Sequence, residues 1–266
     1  MIDASTLWPL VLRLRERAPL VQCITNFVAM DVTANVLLAA GASPAMVHSK
    51  EESADFVELG GMLSINIGTP STDWFAGIES AVAAARRRGT PWVLDPVAVG
   101  ATRFRDQLIA RLLPLGPAVI RGNAGEIMTM AGRRDVVSKG VDSTQSAPSA
   151  RTAAIELAGR VRCTVVTTGS VDLVTDGSRV VGLGNGHPLM TKVTALGCAL
   201  SALVAAFLAV SDDPVPAAAA ATAYFGICGE LAAESAQGPG SLRSRLLDCL
   251  YALDGETFAG RLRLLE

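Results

Sequence analysis

Short apolar runs alternate with longer, alanine-rich stretches of helical spacing along most of the chain. The runs at 62–68 (MLSINIG), 91–97 (PWVLDPV), 117–123 (PAVIRGN) and 164–169 (TVVTTG) are nearly continuous in apolar residues. That is the pattern of strands buried on both faces. PAMVHS at 44–49 is a further candidate strand. Between these runs, 30–41, 51–61, 71–89, 104–113, 124–132 and 151–161 carry helical spacing. The segment 71–89 has both end signals, a Ser-Thr-Asp start and a glycine stop. An amphipathic helix is predicted from near Ser5 to just before Pro19. DLVTDGSRVVGL at 172–183 reads as a hairpin around Asp176–Gly177, and the last third reads as almost all helix.

Strands alternating with helices predict a mainly parallel sheet covered on both faces. No break in composition divides the chain, so one domain over 1–266 is expected. In such sheets ligands bind beyond the carboxyl ends of the strands. The residues to inspect are therefore those that follow each run: Gly68–Thr69, Asp95–Pro96, Arg121–Gly122–Asn123 and Thr167–Thr168–Gly169.

One stretch departs from the alternation. TKVTALGCALSALVAAFLAV, at 191–210, carries no charge after Lys192. Three readings compete. Its apolar part reaches the length of about 18 residues at which membrane spanning begins, but Thr194 to Ser201 is small and partly polar, and both flanks belong to ordinary mixed segments. It also suits a buried helix whose first turn faces an anion, since helix N-termini expose unpaired N–H groups and partial positive charge. Thr194, Ala195, Gly197 and Cys198 sit where that turn would start, with small residues for close approach; an ordinary core helix starting there is the plain alternative. Third, Cys198 could be a covalent nucleophile. That role wants a nearby histidine, and only His48 and His187 exist.

Charge and cysteine content narrow the function classes. The formal net charge is −2 with basic residues scattered, so the basic stripe of a nucleic-acid binder is not visible. The tightest basic group, Arg86–Arg88, suits the end of a helix. Cysteines 23, 163, 198, 228 and 249 are far apart and follow no CxxC or Cys/His spacing. Reduced thiols in a cytoplasmic protein fit better than a disulfide framework or a zinc site.

The strand ends themselves offer a cation, Arg121, the carboxylates of Asp95 and Glu126, hydroxyls and glycines. Neither GxxxxGK[ST] nor GxGxxG occurs. An arginine with acids and glycine-opened helices still suits a polyphosphate and a magnesium ion. An arginine and a glutamate close in sequence are as often an ordinary surface pair. Asn26 and Asp95 read as caps or turn residues about as readily as ligands, and Met46 as core.

Several long segments, in order, resemble hydroxyethylthiazole kinases of the thiamine-salvage route, within the ribokinase-like superfamily. They are QCITNFVAMDVTANVLLAAGASPAMVHS (22–49), WVLDPVAVGATRFR (92–105), AVIRGNAGEIMTMAG (118–132), KGVDST (139–144) and NGHPLMTKVTALGCALSALVAAF (185–207). The resemblance implies a three-layer α/β/α sandwich and transfer of phosphate from ATP, with Mg2+, to the hydroxyl of 4-methyl-5-(2-hydroxyethyl)thiazole. Arg121, Thr168, Gly169 and Asn123 match nucleotide-binding positions, as do Thr194 and Gly197 at the anion hole. Glu126, in the Asn-x-x-Glu element, and Asp95 match positions that organise the metal. Asn26, Val28, Met46, Gly68 and Ala195 match the thiazole pocket. That pocket is formed between subunits of a homotrimer in the family.

Cys198 matches the position of a catalytic aspartate in related sugar kinases, where thiazole kinases carry cysteine. An ordinary cysteine, with a pKa of about 8.5, is mostly neutral at pH 7, and a helix N-terminus can lower that value. Cys198 is therefore expected to position the hydroxyl and act at most as a weak base. One departure stands beside it: the family usually shows Thr-Gly-x-Gly-Cys, whereas this chain has Thr194-Ala195-Leu196-Gly197-Cys198. Alanine adopts positive φ less readily than glycine, so the anion hole is where shape and rate are expected to differ.

Overall fold

Side chains alternate across a strand, and in this protein that alternation sorts the strands' residues between two helical layers. The computed structural model describes residues 2–133 and 146–265; the KGVDST segment at 139–144 lies outside them. The strands are β1 (Leu20–Ile24), β2 (Ser43–Ala45), β3 (Met62–Asn66), β4 (Trp92–Asp95), β5 (Val119–Asn123), β6 (Thr164–Thr168), β7 (Asp172–Thr175), β8 (Val180–Leu183) and β9 (Leu264–Leu265). They form one sheet in the order β2-β1-β3-β4-β5-β6-β7-β8-β9. Pairing is parallel from β2 through β6 and antiparallel from β6 to β9. The hairpin read at 172–183 is β7–β8, with Gly177 at φ 93 in its turn.

Val93, Val119 and Val166 face one layer, which contains α1 (Ala4–Arg17), α2 (Met30–Ala40), α8 (Leu196–Leu208), α9 (Pro214–Ser235) and α10 (Pro239–Ala252). Leu94, Ile120 and Val165 face the other, built largely from α4 (Thr72–Arg88), α5 (Arg103–Leu112), α6 (Ala124–Met130) and α7 (Ser146–Val161). Two short helices, α3 (Ser53–Glu58) and α11 (Gly255–Arg261), pack mainly on α4 and α1 respectively. The three-layer α/β/α order expected from the sequence is therefore the observed one.

Local signals set most boundaries. Asp3 caps α1 reciprocally with Thr6: its carboxylate accepts the Thr6 N–H at 3.0 Å, and its own N–H donates to the Thr6 hydroxyl at 2.8 Å. Ser71 caps α4, and Gly89 ends it in the left-handed conformation. Arg87 and Arg88 at that end pair with Glu58 at 3.7 and 3.2 Å.

Three expectations need correction. PAMVHS is not a strand: β2 covers only Ser43–Ala45, and beyond it the chain is held by side chains instead of a ladder. The Val47 carbonyl accepts from Gln22 Nε2 at 3.1 Å, and the His48 ring stacks on Trp74 at 3.9 Å. The terminal strand β9 carries no turn signal in the sequence; it forms because β8 offers a free edge. The uncharged stretch at 191–210 is not one long apolar helix. A 3-10 turn occupies Pro188–Lys192, Val193 is extended, Ala195 is left-handed, and α8 then runs only from Leu196 to Leu208. Among the described residues, the helix with the length and hydropathy of a span is α9, and 83% of its apolar window is buried inside the fold. Burial in the core accounts for the apolarity of both helices.

Candidate active site

Asn66, Asp95, Asn123 and Thr168 are each the last residue of a parallel strand, and Asn66 stands directly opposite Asp95 in the ladder, as Asn123 does Thr168. Asp95 lies two residues after Val93, and Arg121 two after Val119, so both point to the layer that holds α8. The first turn of α8 meets them there.

Asp95 is fully buried. Its Oδ2 accepts hydrogen bonds from Asn66 Nδ2 and from Ser201 Oγ of α8, each at 2.8 Å, and lies 3.9 Å from Arg121 Nη1. Its Oδ1 is buried without a partner, as is Arg121 Nε. Arg121 Nη2 donates to Thr168 Oγ1 at 2.6 Å. Burial pushes the Asp95 carboxyl up to about 6; the Arg121 charge opposes this and the Glu126 charge adds to it. A buried pair so loosely closed, with an orphan atom on each side, is built for a further polar group.

Gly197 is the reason the guanidinium fits. A Cβ at that position would stand 2.5 Å from Arg121 Nη1 and 2.9 Å from Nη2. The side chain thus lies flat on the first turn of α8. The N–H groups of Leu196, Gly197 and Cys198 precede the first residue, Ala199, whose N–H closes on the helix cap, the Ala195 carbonyl. That cap sits at φ 65, ψ 6. The departure noted in the sequence therefore matters for conformation: alanine occupies the left-handed turn at a cost of about 1–2 kcal/mol.

A cavity of about 780 Å³ opens in front of this turn. Arg121, Asn123, Thr168, Gly169, Thr194, Ala195 and Gly197, all singled out in the sequence, line it. Its walls also include Asp172, the loop Asn185–Pro188, Thr222 and Phe225, which sequence reasoning missed. Asp172 Oδ1 accepts the Gly169 N–H at 2.9 Å, and burial pushes its carboxyl up to about 6, against the opposing pull of that bond and of Arg121.

Asn26, Gly68 and Cys198 gather on the other side of the turn. Asn26 Nδ2 donates to Asn66 Oδ1 at 2.9 Å and to Cys198 Sγ at 3.4 Å. Gly68 lies so close that a Cβ there would be 2.6 Å from Asn26 Nδ2, and its N–H donates to Asn66 Oδ1 at 2.8 Å. Asn66, another residue not anticipated, thereby links this group to Asp95. It sits within a strand-ending run, where the rule about carboxyl ends would have found it. Arg105 braces the same edge, donating to the carbonyls of Ile67, Gly68 and Val97 at 2.5, 2.7 and 2.8 Å. Val28 joins only through its N–H to Asn26 Oδ1 at 3.1 Å, and its side chain is exposed. Met46 packs against the core on the α1–α2 side. Neither lines the cavity.

Asn123 and Glu126 form a reciprocal cap at the start of α6: Asn123 Oδ1 accepts the Glu126 N–H at 2.9 Å, and Glu126 Oε2 accepts the Asn123 N–H at 2.8 Å. Glu126 Oε1 accepts the Ala98 N–H at 2.9 Å. The structural and ligand readings of this element thus coexist: the carboxylate is fixed beside Asp95 by backbone bonds, with lone pairs left over.

The surroundings of Cys198 favour the neutral thiol expected of it. Its thiol is pushed up to about 11, chiefly by burial, with the Asp95 charge adding to the rise. Hydrogen bonds from Asn26 and Asn66 and the Arg121 charge pull it back only in part. A thiol kept protonated is a poor nucleophile.

The chain belongs to the hydroxyethylthiazole kinase family, whose model matches residues 11–256. A hydroxyethylthiazole kinase of Cereibacter sphaeroides is 55% identical over 251 residues, covering 94% of this chain and 95% of that protein. The structure of the hydroxyethylthiazole kinase protein of Pyrococcus horikoshii OT3 superposes with a TM-score of 0.90 at 38% identity, covering 98% of each chain. At 15% identity and a TM-score of 0.58, a Staphylococcus aureus pyridoxal kinase solved with AMP-PCP and pyridoxal shares the fold over 77% of this chain and 85% of its own.

Gly197→Ala is expected to push Arg121 off the helix start and lower kcat/KM by about a hundredfold, with little change in the urea unfolding midpoint. Ala195→Gly exchanges backbone strain of about 1–2 kcal/mol for unfolded-chain entropy of about 0.4–1 kcal/mol, so a gain between nothing and about 1.6 kcal/mol in urea unfolding is expected. Alkylation of Cys198 by iodoacetamide, followed on its peptide by mass spectrometry, should be slow at pH 7.5 and still rising at pH 10. A plateau below pH 8 would mean an activated thiolate.

Proposed function

We propose that this protein transfers the γ-phosphoryl group of ATP to the hydroxyl of 4-methyl-5-(2-hydroxyethyl)thiazole, in thiamine salvage. The observation that carries the reading is Arg121 lying on Gly197, at the mouth of a cavity sized for a nucleotide. Phosphoryl transfer asks mainly for in-line positioning and charge neutralisation. Arg121, Thr168, Gly169, Asn123 and Thr194 hold the triphosphate and its ribose side, and the N–H groups of Leu196–Cys198 receive the γ-phosphate. The alcohol lies on the opposite side of the same turn, against Asn26, Gly68 and Cys198, with Val28, Met46 and Ala195 completing the pocket. Its oxygen then faces the γ-phosphorus in line; a phosphorus–oxygen bond forms as the bond to the β–γ bridging oxygen breaks, and ADP departs.

Mg2+ suits the orphan Oδ1 of Asp95 and the fixed carboxylate of Glu126, and when bound through water it would offset charge on the β- and γ-phosphates. Cys198, being protonated, orients the substrate hydroxyl instead of removing its proton. In a loose transition state that proton is lost late, to a phosphoryl oxygen or water.

A binding relative that has lost turnover was the rival class, suggested by Ala195. That residue holds the left-handed conformation a glycine there would adopt freely, which supports the kinase. We also read the chain as one cytoplasmic domain over 1–266 that assembles into a homotrimer. The exposed Phe27 and Val28, next to the pocket residue Asn26, support a neighbouring subunit closing the site.

ATP-to-ADP conversion with magnesium is expected to rise many-fold on adding the thiazole alcohol, and not on adding a sugar or hydroxymethylpyrimidine. Stimulation by either of the latter alone would overturn the substrate assignment. Cys198→Ala should keep measurable kinase activity, about one-hundredth to one-tenth of wild type; complete loss together with a trapped covalent adduct on the native enzyme would restore the nucleophile role.

A further inference from the structure

The wall of the cavity opposite Arg121 is the loop Asn185–Pro188, which follows β8. A loop of this kind is held by its backbone bonds, and here they run to a part of the chain far away in sequence. Glu230, on α9, is nearly buried. Its Oε1 accepts the Gly186 N–H at 2.7 Å, and Asn185 Nδ2 lies 3.3 and 3.4 Å from its two oxygens. The same carboxylate is paired with the guanidinium of Arg263. Asn185 then ties down the C-terminal segment: its Nδ2 donates to the Arg261 carbonyl and its Oδ1 accepts the Arg263 N–H, both at 2.9 Å. Arg263 returns bonds to the Gly184 carbonyl from Nε at 3.1 Å and Nη2 at 2.6 Å. Gly226, one turn before Glu230 on α9, admits this packing, since a Cβ there would meet the Asn185 carbonyl at 2.8 Å.

These bonds end on the loop, on the last carbonyl of α11 and on Arg263 just before β9, so the same cluster that fixes the cavity wall also ties it to the C-terminal edge strand. We propose that Glu230 is a positioning residue for the nucleotide, clamping the Asn185–Gly186 wall between α9 and the C-terminal segment through Arg263. The inference rests on the cavity being the nucleotide site. A nearly buried carboxylate that accepts from a backbone N–H, an amide and a guanidinium at once has strict geometry. Glutamine keeps the shape and an acceptor for Gly186, but presents an NH2 group or a neutral oxygen to Arg263 and so loosens the clamp. The alcohol pocket at Asn26 and Gly68 touches none of these residues, so its affinity should not follow.

The test is a comparison of KM for ATP, KM for the thiazole alcohol and kcat in the full-length enzyme, for wild type, Glu230→Gln, Arg263→Ala and the core variant Leu246→Ala. Expected is a rise of about tenfold in KM for ATP in the first two variants, a KM for the alcohol within about twofold of wild type, and neither change in Leu246→Ala despite its lower Tm. Unchanged KM for ATP in both clamp variants would overturn the proposal, as would a parallel rise of both KM values in all three. Leu200→Trp, which fills the cavity, serves as the control on its premise. Binding of AMP-PCP retained by that variant would move the nucleotide elsewhere and overturn the site reading and the inference together. Loss of binding there, with Glu230→Gln unaffected, would overturn the inference alone.

Discussion

A guanidinium stacked on a glycine organises this molecule's chemistry. Arg121 is buried, charged and only partly satisfied, and it can stay so because Gly197 leaves room for it at the start of α8. Asp95 stands behind it at ion-pair distance, braced by Asn66 and Ser201. Burying a charge pair this loosely is unfavourable unless a further partner completes it. The cost is met by the surrounding core, in which both helical layers pack on a sheet whose central strands are buried throughout. Stability thus resides in the apolar layers, while Asp95 Oδ1, Arg121 Nε and the left-handed Ala195 bring unsatisfied and strained groups together at the strand ends.

Much of this was legible in the sequence because it depends on local rules. Continuous apolar runs gave the parallel strands, and their carboxyl ends pointed to Asp95, Arg121, Asn123 and Thr168 before any contact was known. Ser71 and Gly89 marked α4 at both ends. The site was less legible wherever it depends on pairs distant in the chain. Ser201 looked like one polar residue in an apolar helix, and only its bond to Asp95, 106 positions away, gives it a role. Asn66 was hidden inside a run read as strand. Asp172 was absorbed into a hairpin. The C-terminal strand and the loop it holds carry no periodic signal at all.

Cys198 shows the limit of position as a guide to reactivity. Its place in the first turn of a helix could lower its pKa, whereas burial and a nearby carboxylate raise it. Desolvation acts on the whole side chain, while the dipole of a helix start acts through a few N–H groups whose direction is set by the backbone. Here Thr194, Leu196 and Gly197 line the cavity, and the thiol meets Asn26. The two functions of the turn are therefore separated by side of the helix.

That separation has a consequence for durability. Cysteine attacks peroxides and disulfides as the thiolate, and the path to sulfenic and then sulfinic acid begins there. A buried turn that uses sulfur as a neutral, polarizable wall keeps the packing benefit of cysteine while withholding the form that oxidants consume. An aspartate in its place would bring a second negative charge beside Asp95; the protonated thiol brings none.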